Sequence, residues 1–148
     1  MIPNQISNWI ENQERATQAN EWFEKLNPAN GQVLCRVVRS RREDVLQAVE
    51  VAKRVQPAWA DTPAVQRGMI LHKIVVRMQN RQSEIAATVA AETGKSMKEA
   101  SGETGGAIQC GLFYASEGQR LYGRTTTSGT ANKYAMTIRQ PIGVAGLI

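Results

Sequence analysis

The chain has 148 residues, 42% of them hydrophobic and 21% charged, which is the composition of one globular domain and not of a disordered or fibrous segment. Its net charge is +5, but Lys and Arg are scattered among Asp and Glu, with Arg39, Arg41 and Arg42 the densest group, so the basic stripe with interleaved aromatics that a nucleic acid requires is missing. No stretch approaches the ~20 apolar residues of a membrane span and Met1-Ile2-Pro3-Asn4 is no secretory leader, which predicts a cytoplasmic protein with Cys35 and Cys110 reduced, no membrane partner and no nucleic-acid partner.

Residues 1–20 are polar apart from Trp9 and Ile10 and read as a loose arm or a short helix laid on a neighbour. Trp22–Leu26 and Val33–Val38 read as two strands joined by Asn27-Pro28-Ala29-Asn30-Gly31, where Pro fixes one backbone angle and Asn-Gly accepts the positive φ of a tight turn. Ser40-Arg41-Arg42-Glu43 has the form of a capping box, and Val45, Ala48, Val49, Ala52, Val55 and Trp59 follow at helical spacing. Asp61-Thr62-Pro63 closes that helix and opens a second, with Leu71, Ile74, Val75 and Met78 on one face. A third places Ile85, Ala86, Val89 and Ala90 together and stops at Gly94, which has the character of a left-handed cap.

From Lys98 to Tyr122 the spacing is helical again, with Ala100, Thr104, Ala107, Ile108, Leu112, Ala115 and Leu121 as the inner face. Gly102, Gly105, Gly106, Gly111 and Gly118 interrupt it, and each costs a helix about 0.5–1 kcal/mol against Ala, so a close neighbour is expected at those positions, either another backbone or a channel. Arg124 to Lys133 reads as a Thr, Ser and Gly loop, Tyr134 to Arg139 as a strand, and the apolar run Gly143 to Ile148 as a buried strand of a parallel sheet covered on both faces. With no partner strand after that run, the chain reads as the front part of a longer protein.

The isolated motifs are weak. Gly94-Lys95-Ser96 ends like a phosphate-binding loop, but Val89 stands where its first Gly belongs and a helix precedes it in place of a strand. The Gly102 to Gly111 string also follows a helix, which disfavours a dinucleotide turn. Cys110 sits mid-helix and reads as a small buried apolar residue, His72 as a flank residue, and Glu99 with Glu103 as a solvated helix face. One His and two distant Cys make no metal site.

Taken in order, Asn27-Pro28-Ala29-Asn30-Gly31, Glu43-Asp44-Val45 with Ala48-Val49 and Ala52, Trp59, Arg67 with Ile70-Leu71, Glu92-Thr93-Gly94-Lys95, Phe113-Tyr114-Ala115 and Arg139-Gln140-Pro141-Ile142-Gly143-Val144 form a pattern. Over residues 22–148 it resembles the amino-terminal part of the NAD(P)-dependent aldehyde dehydrogenase superfamily.

The resemblance implies an α/β fold: a β-hairpin, about four helices, a strand of an oligomerisation arm and the first strand of a Rossmann-like sheet. It divides the chain into an arm (1–21), a hairpin and helical part of the cofactor-binding domain (22–133), the start of the oligomerisation arm (134–141) and a truncated first sheet strand (142–148). It implies oxidation of a small-molecule aldehyde to a carboxylic acid with NAD or NADP, in which a Cys thiolate attacks the carbonyl, hydride passes to the nicotinamide and a Glu activates the hydrolytic water. The complete protein is expected to be a homodimer or homotetramer. The family's catalytic Asn, Glu and Cys match no residue here, so the 148-residue piece is expected to be inert; a non-catalytic helical interaction domain of the same ancestry is the alternative. By resemblance Gly102, Gly106, Gln109, Cys110 and Phe113 line the substrate tunnel, and Ile148 approaches the dinucleotide.

Overall fold

The computed structural model describes residues 2–17 and 19–148; Met1 and Gln18 of the arm lie outside the described residues. The arm holds three short strands, β1 (Gln5–Ile6), β2 (Asn8–Ile10) and β3 (Gln13–Arg15), in place of a loose segment or a helix. β2 and β3 form a tight antiparallel hairpin turned by Glu11 and Asn12, both at positive φ, and β1 runs parallel to β5 (Val33–Val38). Polar side chains misled the helix reading because Ile10 alone, 9% exposed, anchors this hairpin, and Glu11 then pairs with Arg15 and with Arg54.

β4 (Trp22–Leu26) pairs antiparallel with β5, so the three-stranded sheet has the order β1-β5-β4. The turn between them forms as the residues dictate: Asn27 Oδ1 accepts from Ala29 N–H at 2.9 Å, the Asn27 carbonyl accepts from Gly31 N–H at 2.8 Å, and Gly31 takes φ +72°.

Helix α1 runs Arg42–Asp61, and its cap sits one residue later than the sequence reading: Arg41 N–H donates to Asp44 Oδ2 at 2.7 Å, while the Ser40 hydroxyl donates to Asn8 Oδ1 at 2.8 Å and ties the helix start to the arm. None of its residues is fully buried: Ala48, Val49 and Ala52 are half-buried and line a cleft with Ile10, while Val45, Val55 and Trp59 stay exposed. Its far end is held by Arg67, whose Nη1 donates to the carbonyls of Trp59, Ala60 and Thr62 at 3.3, 3.1 and 2.7 Å. These are carbonyls of the last turn and the cap, which lack the i+4 N–H partner of a helix interior; that of Trp59 also accepts from Thr62 N–H at 3.2 Å.

α2 (Ala64–Asn80), α3 (Gln82–Thr93) and α4 (Met97–Ser116) pack together, and the core lies between them: Val75, Ala86, Ala100 and Ile108 are at most 3% exposed. Gly94 ends α3 at φ +74°, as its position demanded, with its N–H on the Ala90 carbonyl at 2.9 Å. α4 stops at Ser116, six residues before Tyr122; a 3₁₀ turn Glu117–Gln119 follows, and Leu121 leaves the helix as a half-exposed residue. Ser116 helps to end the helix by donating its hydroxyl to the Phe113 carbonyl at 2.8 Å.

Two expectations near the carboxyl end change. The Thr-rich loop contains a strand, β6 (Thr125–Thr127), which pairs antiparallel with β7 (Tyr134–Met136), the shortened form of the strand read over 134–139. Gly143 to Ile148 carries no ladder in these 148 residues, with Leu147 and Ile148 fully exposed. A strand exists through its hydrogen-bonded neighbours, and none of the described residues offers that run one.

Candidate functional site

α4 is the element on which most of the sequence-predicted site residues fall, and its start is built to be rigid. Ser96 Oγ accepts from Glu99 N–H at 3.2 Å and donates to Glu99 Oε2 at 2.8 Å, while Ser96 N–H donates to the same carboxylate at 3.2 Å. The Ser96 hydroxyl first, then its backbone N–H, holds the Glu99 carboxyl below its ordinary pKa. Lys95 pairs with Glu103 at 2.5 Å, which leaves the Gly94-Lys95-Ser96 run as a helix stop followed by a helix start.

At 100° per residue, Ala100, Thr104, Ile108, Gly111 and Ala115 share one side of α4 and Gly102, Gly106, Gln109, Cys110 and Phe113 share the opposite one. The first side meets α2 and α3. Ala100, Thr104 and Ile108 are buried, the Thr104 hydroxyl is satisfied by the Ala100 carbonyl at 2.8 Å, and a Cβ on Gly111 would stand 2.6 Å from a Val75 methyl. Gly118, beyond the helix end, brings its backbone against the Ala64 carbonyl. These glycines mark close packing.

The second side is open. A Cβ on Gly102 or Gly106 would meet no atom within 4 Å, and Gln109, Cys110 and Phe113 are exposed. The structure therefore brings all five predicted tunnel residues onto one face, and it corrects Cys110, which is exposed where the sequence suggested a buried packing residue. The reason is angular: Cys110 lies about 120° from the centre of the buried arc, so burying it would expose Ile108. His72 lines a separate shallow cleft with Leu112 and Ala115.

At the carboxyl end of this face a cluster appears that the sequence did not signal. The Phe113 ring meets Tyr114 edge to face, with centroids 5.3 Å apart and an interplanar angle of 87°. The Arg120 guanidinium lies 5.6 Å from the Phe113 centroid; its Nη2 donates to Glu117 Oε1 at 2.5 Å and to Ser116 Oγ at 2.8 Å. The i, i+3 pair Glu117 and Arg120 was visible in the sequence, but the early end of α4, which folds Arg120 back over Phe113, was not.

The Gly102 to Gly111 string does not form a dinucleotide turn. A pyrophosphate is held by free backbone N–H groups at a Gly turn and a helix start, whereas Gly102 to Gly111 lie inside α4 with their N–H groups in the helical ladder. Ile148, read as approaching the dinucleotide, lies fully exposed outside any sheet.

Residues 14–148 match the family model described as the aldehyde dehydrogenase family. The chain belongs to the aldehyde dehydrogenase family. It is 35% identical over 139 residues to a malonate-semialdehyde dehydrogenase of Geobacillus kaustophilus, covering 94% of this chain and 28% of that protein. It is also 35% identical over 128 residues to an NADP-dependent succinate-semialdehyde dehydrogenase of Escherichia coli, covering 86% of this chain and 27% of that protein. Among solved structures, an Escherichia coli NADP-dependent enzyme superposes with TM-score 0.89 at 31% identity, over 93% of this chain and 29% of that one. A succinate-semialdehyde dehydrogenase from Burkholderia pseudomallei does so with TM-score 0.89 at 28% identity, over 93% and 29%. The chain thus spans under a third of the length of these aldehyde dehydrogenases and has their α/β fold.

Proposed function

We propose that this chain is the amino-terminal part of an NAD(P)-dependent enzyme that oxidises an aldehyde to a carboxylic acid, and that the open face of α4 is one wall of its substrate tunnel. The observation that carries this is the division of α4: one face is pinned by close-packed glycines against α2, and the other presents an uncharged strip of Gly102, Gly106, Gln109, Cys110 and Phe113 with open space above it. Two glycines beside an aromatic ring leave room that suits the apolar body of an aldehyde.

On this reading the thiolate, the oxyanion Asn and the general base lie beyond these residues, and the 148-residue chain alone is inert. Cys110 lies on the open side of α4 while His72 lines a cleft with Leu112 and Ala115 on the other, so His72 is not placed to activate that thiol. The cofactor is NAD or NADP, bound outside the described residues, in a cytoplasmic homodimer or homotetramer. The β6–β7 hairpin, with Tyr134, Met136 and Ile138 each at least 67% exposed, supports a subunit contact.

The test is NAD titration and aldehyde turnover on the 148-residue chain and on the full-length polypeptide. Activity is expected in the full-length protein only, and turnover by the short chain that depends on Cys110 refutes the proposal. In the full-length protein, Gly106→Leu fills the open strip and raises KM for bulky aldehydes more than for short ones; an equal effect on both removes α4 from the tunnel.

A further inference from the structure

We infer that Arg120 is a positioning residue, clamped by Glu117 and Ser116 so that it fixes the Phe113 ring at the end of the open strip on α4 and thereby sets which aldehydes fit. The inference rests on the preceding reading of that face as a tunnel wall.

Phe113 is 59% exposed, and an aromatic side chain so placed has little packing of its own to hold one rotamer. Two neighbours restrain it here: Tyr114 meets its edge, and the Arg120 guanidinium covers it within the ~6 Å range of cation–π attraction. Arg120 is itself restrained. Its Nε and Nη2 both reach Glu117 Oε1, at 3.1 and 2.5 Å, and Nη2 also donates to Ser116 Oγ, whose hydroxyl donates to the Phe113 carbonyl. The linkage closes on itself, from the Phe113 backbone through Ser116 and Arg120 to the Phe113 ring. Glu117 neutralises the guanidinium, so its charge is committed to the clamp and not to an anionic substrate.

Along the helix Phe113 stands seven residues, roughly 10 Å, beyond Gly106. A short aldehyde stays within the glycine strip, and a longer or aromatic one reaches the ring. Loosening the clamp therefore acts on large substrates selectively.

The experiment compares benzaldehyde, propanal and succinate semialdehyde with the full-length enzyme carrying Arg120→Met, Arg120→Lys, Glu117→Gln or Phe113→Ala. Arg120→Met is expected to raise KM for benzaldehyde about 2–5-fold, the size of a cation–π contact, with a smaller change for propanal and the effect falling on KM more than on kcat. Arg120→Lys, which keeps the cation without the planar clamp, falls between, and Glu117→Gln moves in the same direction as Arg120→Met. If Phe113→Ala shifts the benzaldehyde to propanal preference and Arg120→Met does not, the positioning role is refuted while the tunnel reading survives. If Phe113→Ala shifts nothing, the tunnel reading falls and this inference with it. A loss confined to succinate semialdehyde in Arg120→Met would make the guanidinium a direct substrate contact, and equal losses on all three aldehydes would make it merely structural; either overturns the proposal.

Discussion

Replacing Gly68 and Gly106 by Ala is expected to change stability in opposite directions, although both residues lie within helices. At Gly68 an added Cβ would stand 2.3 Å from the Ala115 carbonyl oxygen and 3.4 Å from its carbon, both backbone atoms that cannot rotate away. An ordinary C···O approach is about 3.3 Å, so α2 and α4 must part by about 1 Å. Overpacking of this kind costs about 1–3 kcal/mol, and the better helix propensity of Ala returns about 1 kcal/mol, leaving a net loss of about 0–2 kcal/mol. At Gly106 nothing lies within 4 Å, so only the propensity gain of about 0.5–1 kcal/mol applies. Urea unfolding followed by helical circular dichroism reads both, and at this chain length each kcal/mol moves Tm by about 2–4 °C. If Gly68→Ala stabilises the chain as much as Gly106→Ala, the assignment of close packing to one face and open space to the other is wrong.

Gly94→Ala should cost about 1–2 kcal/mol, because Gly94 sits at φ +74° and a Cβ there would approach Pro28 Cγ to 2.9 Å; a fall in Tm without change in the α4 signal checks it. Arg67→Met removes two bonds to the last carbonyls of α1 and one to its cap Thr62 and should cost about 1–3 kcal/mol, with amide exchange at Trp59 to Thr62 rising before exchange in α2. The Glu99 carboxyl is held below its ordinary pKa by the Ser96 hydroxyl and N–H, so its contribution is present above the ordinary carboxylate range and is lost as pH falls through the lowered folded value. Glu99→Gln should therefore flatten the acid limb of the α4 melting profile, and an unchanged limb would assign it to other carboxylates.

The parts of the fold written in local chemistry were legible in the sequence. The Asn27 to Gly31 turn, the helix stop at Gly94 and the four helices follow from turn residues and apolar spacing, and the structure forms each of them. The arm was not legible: β1 and β2–β3 depend on pairing with β5 and on one buried Ile10, neither of which a polar stretch announces. The end of α4 was missed for a similar reason. Apolar spacing continues to Leu121, but the Ser116 hydroxyl takes the Phe113 carbonyl, and Gly118 must pass close to the Ala64 carbonyl, so the chain leaves the helix early.

The glycines of α4 join these observations. A glycine weakens a helix at every position, so the four within α4 require compensation, as does Gly118 just beyond it, and the sequence could not tell a packed backbone from a channel. The structure separates the two causes by angle. Gly111 meets Val75 and Gly118 meets Ala64, where a methyl group would collide; Gly102 and Gly106 meet nothing among the described residues, so packing within them does not call for a glycine there. Removing side chains from an exposed face gains nothing in stability and leaves room for something outside the helix. On the proposed reading, that room is for the substrate. The variant Gly111→Ala with Val75→Ala tests the packed half: the collision at 2.6 Å is relieved by the smaller partner, so the double variant should be about 1 kcal/mol more stable than the two single losses add up to. Simple additivity would show that Gly111 does not set the distance between α2 and α4.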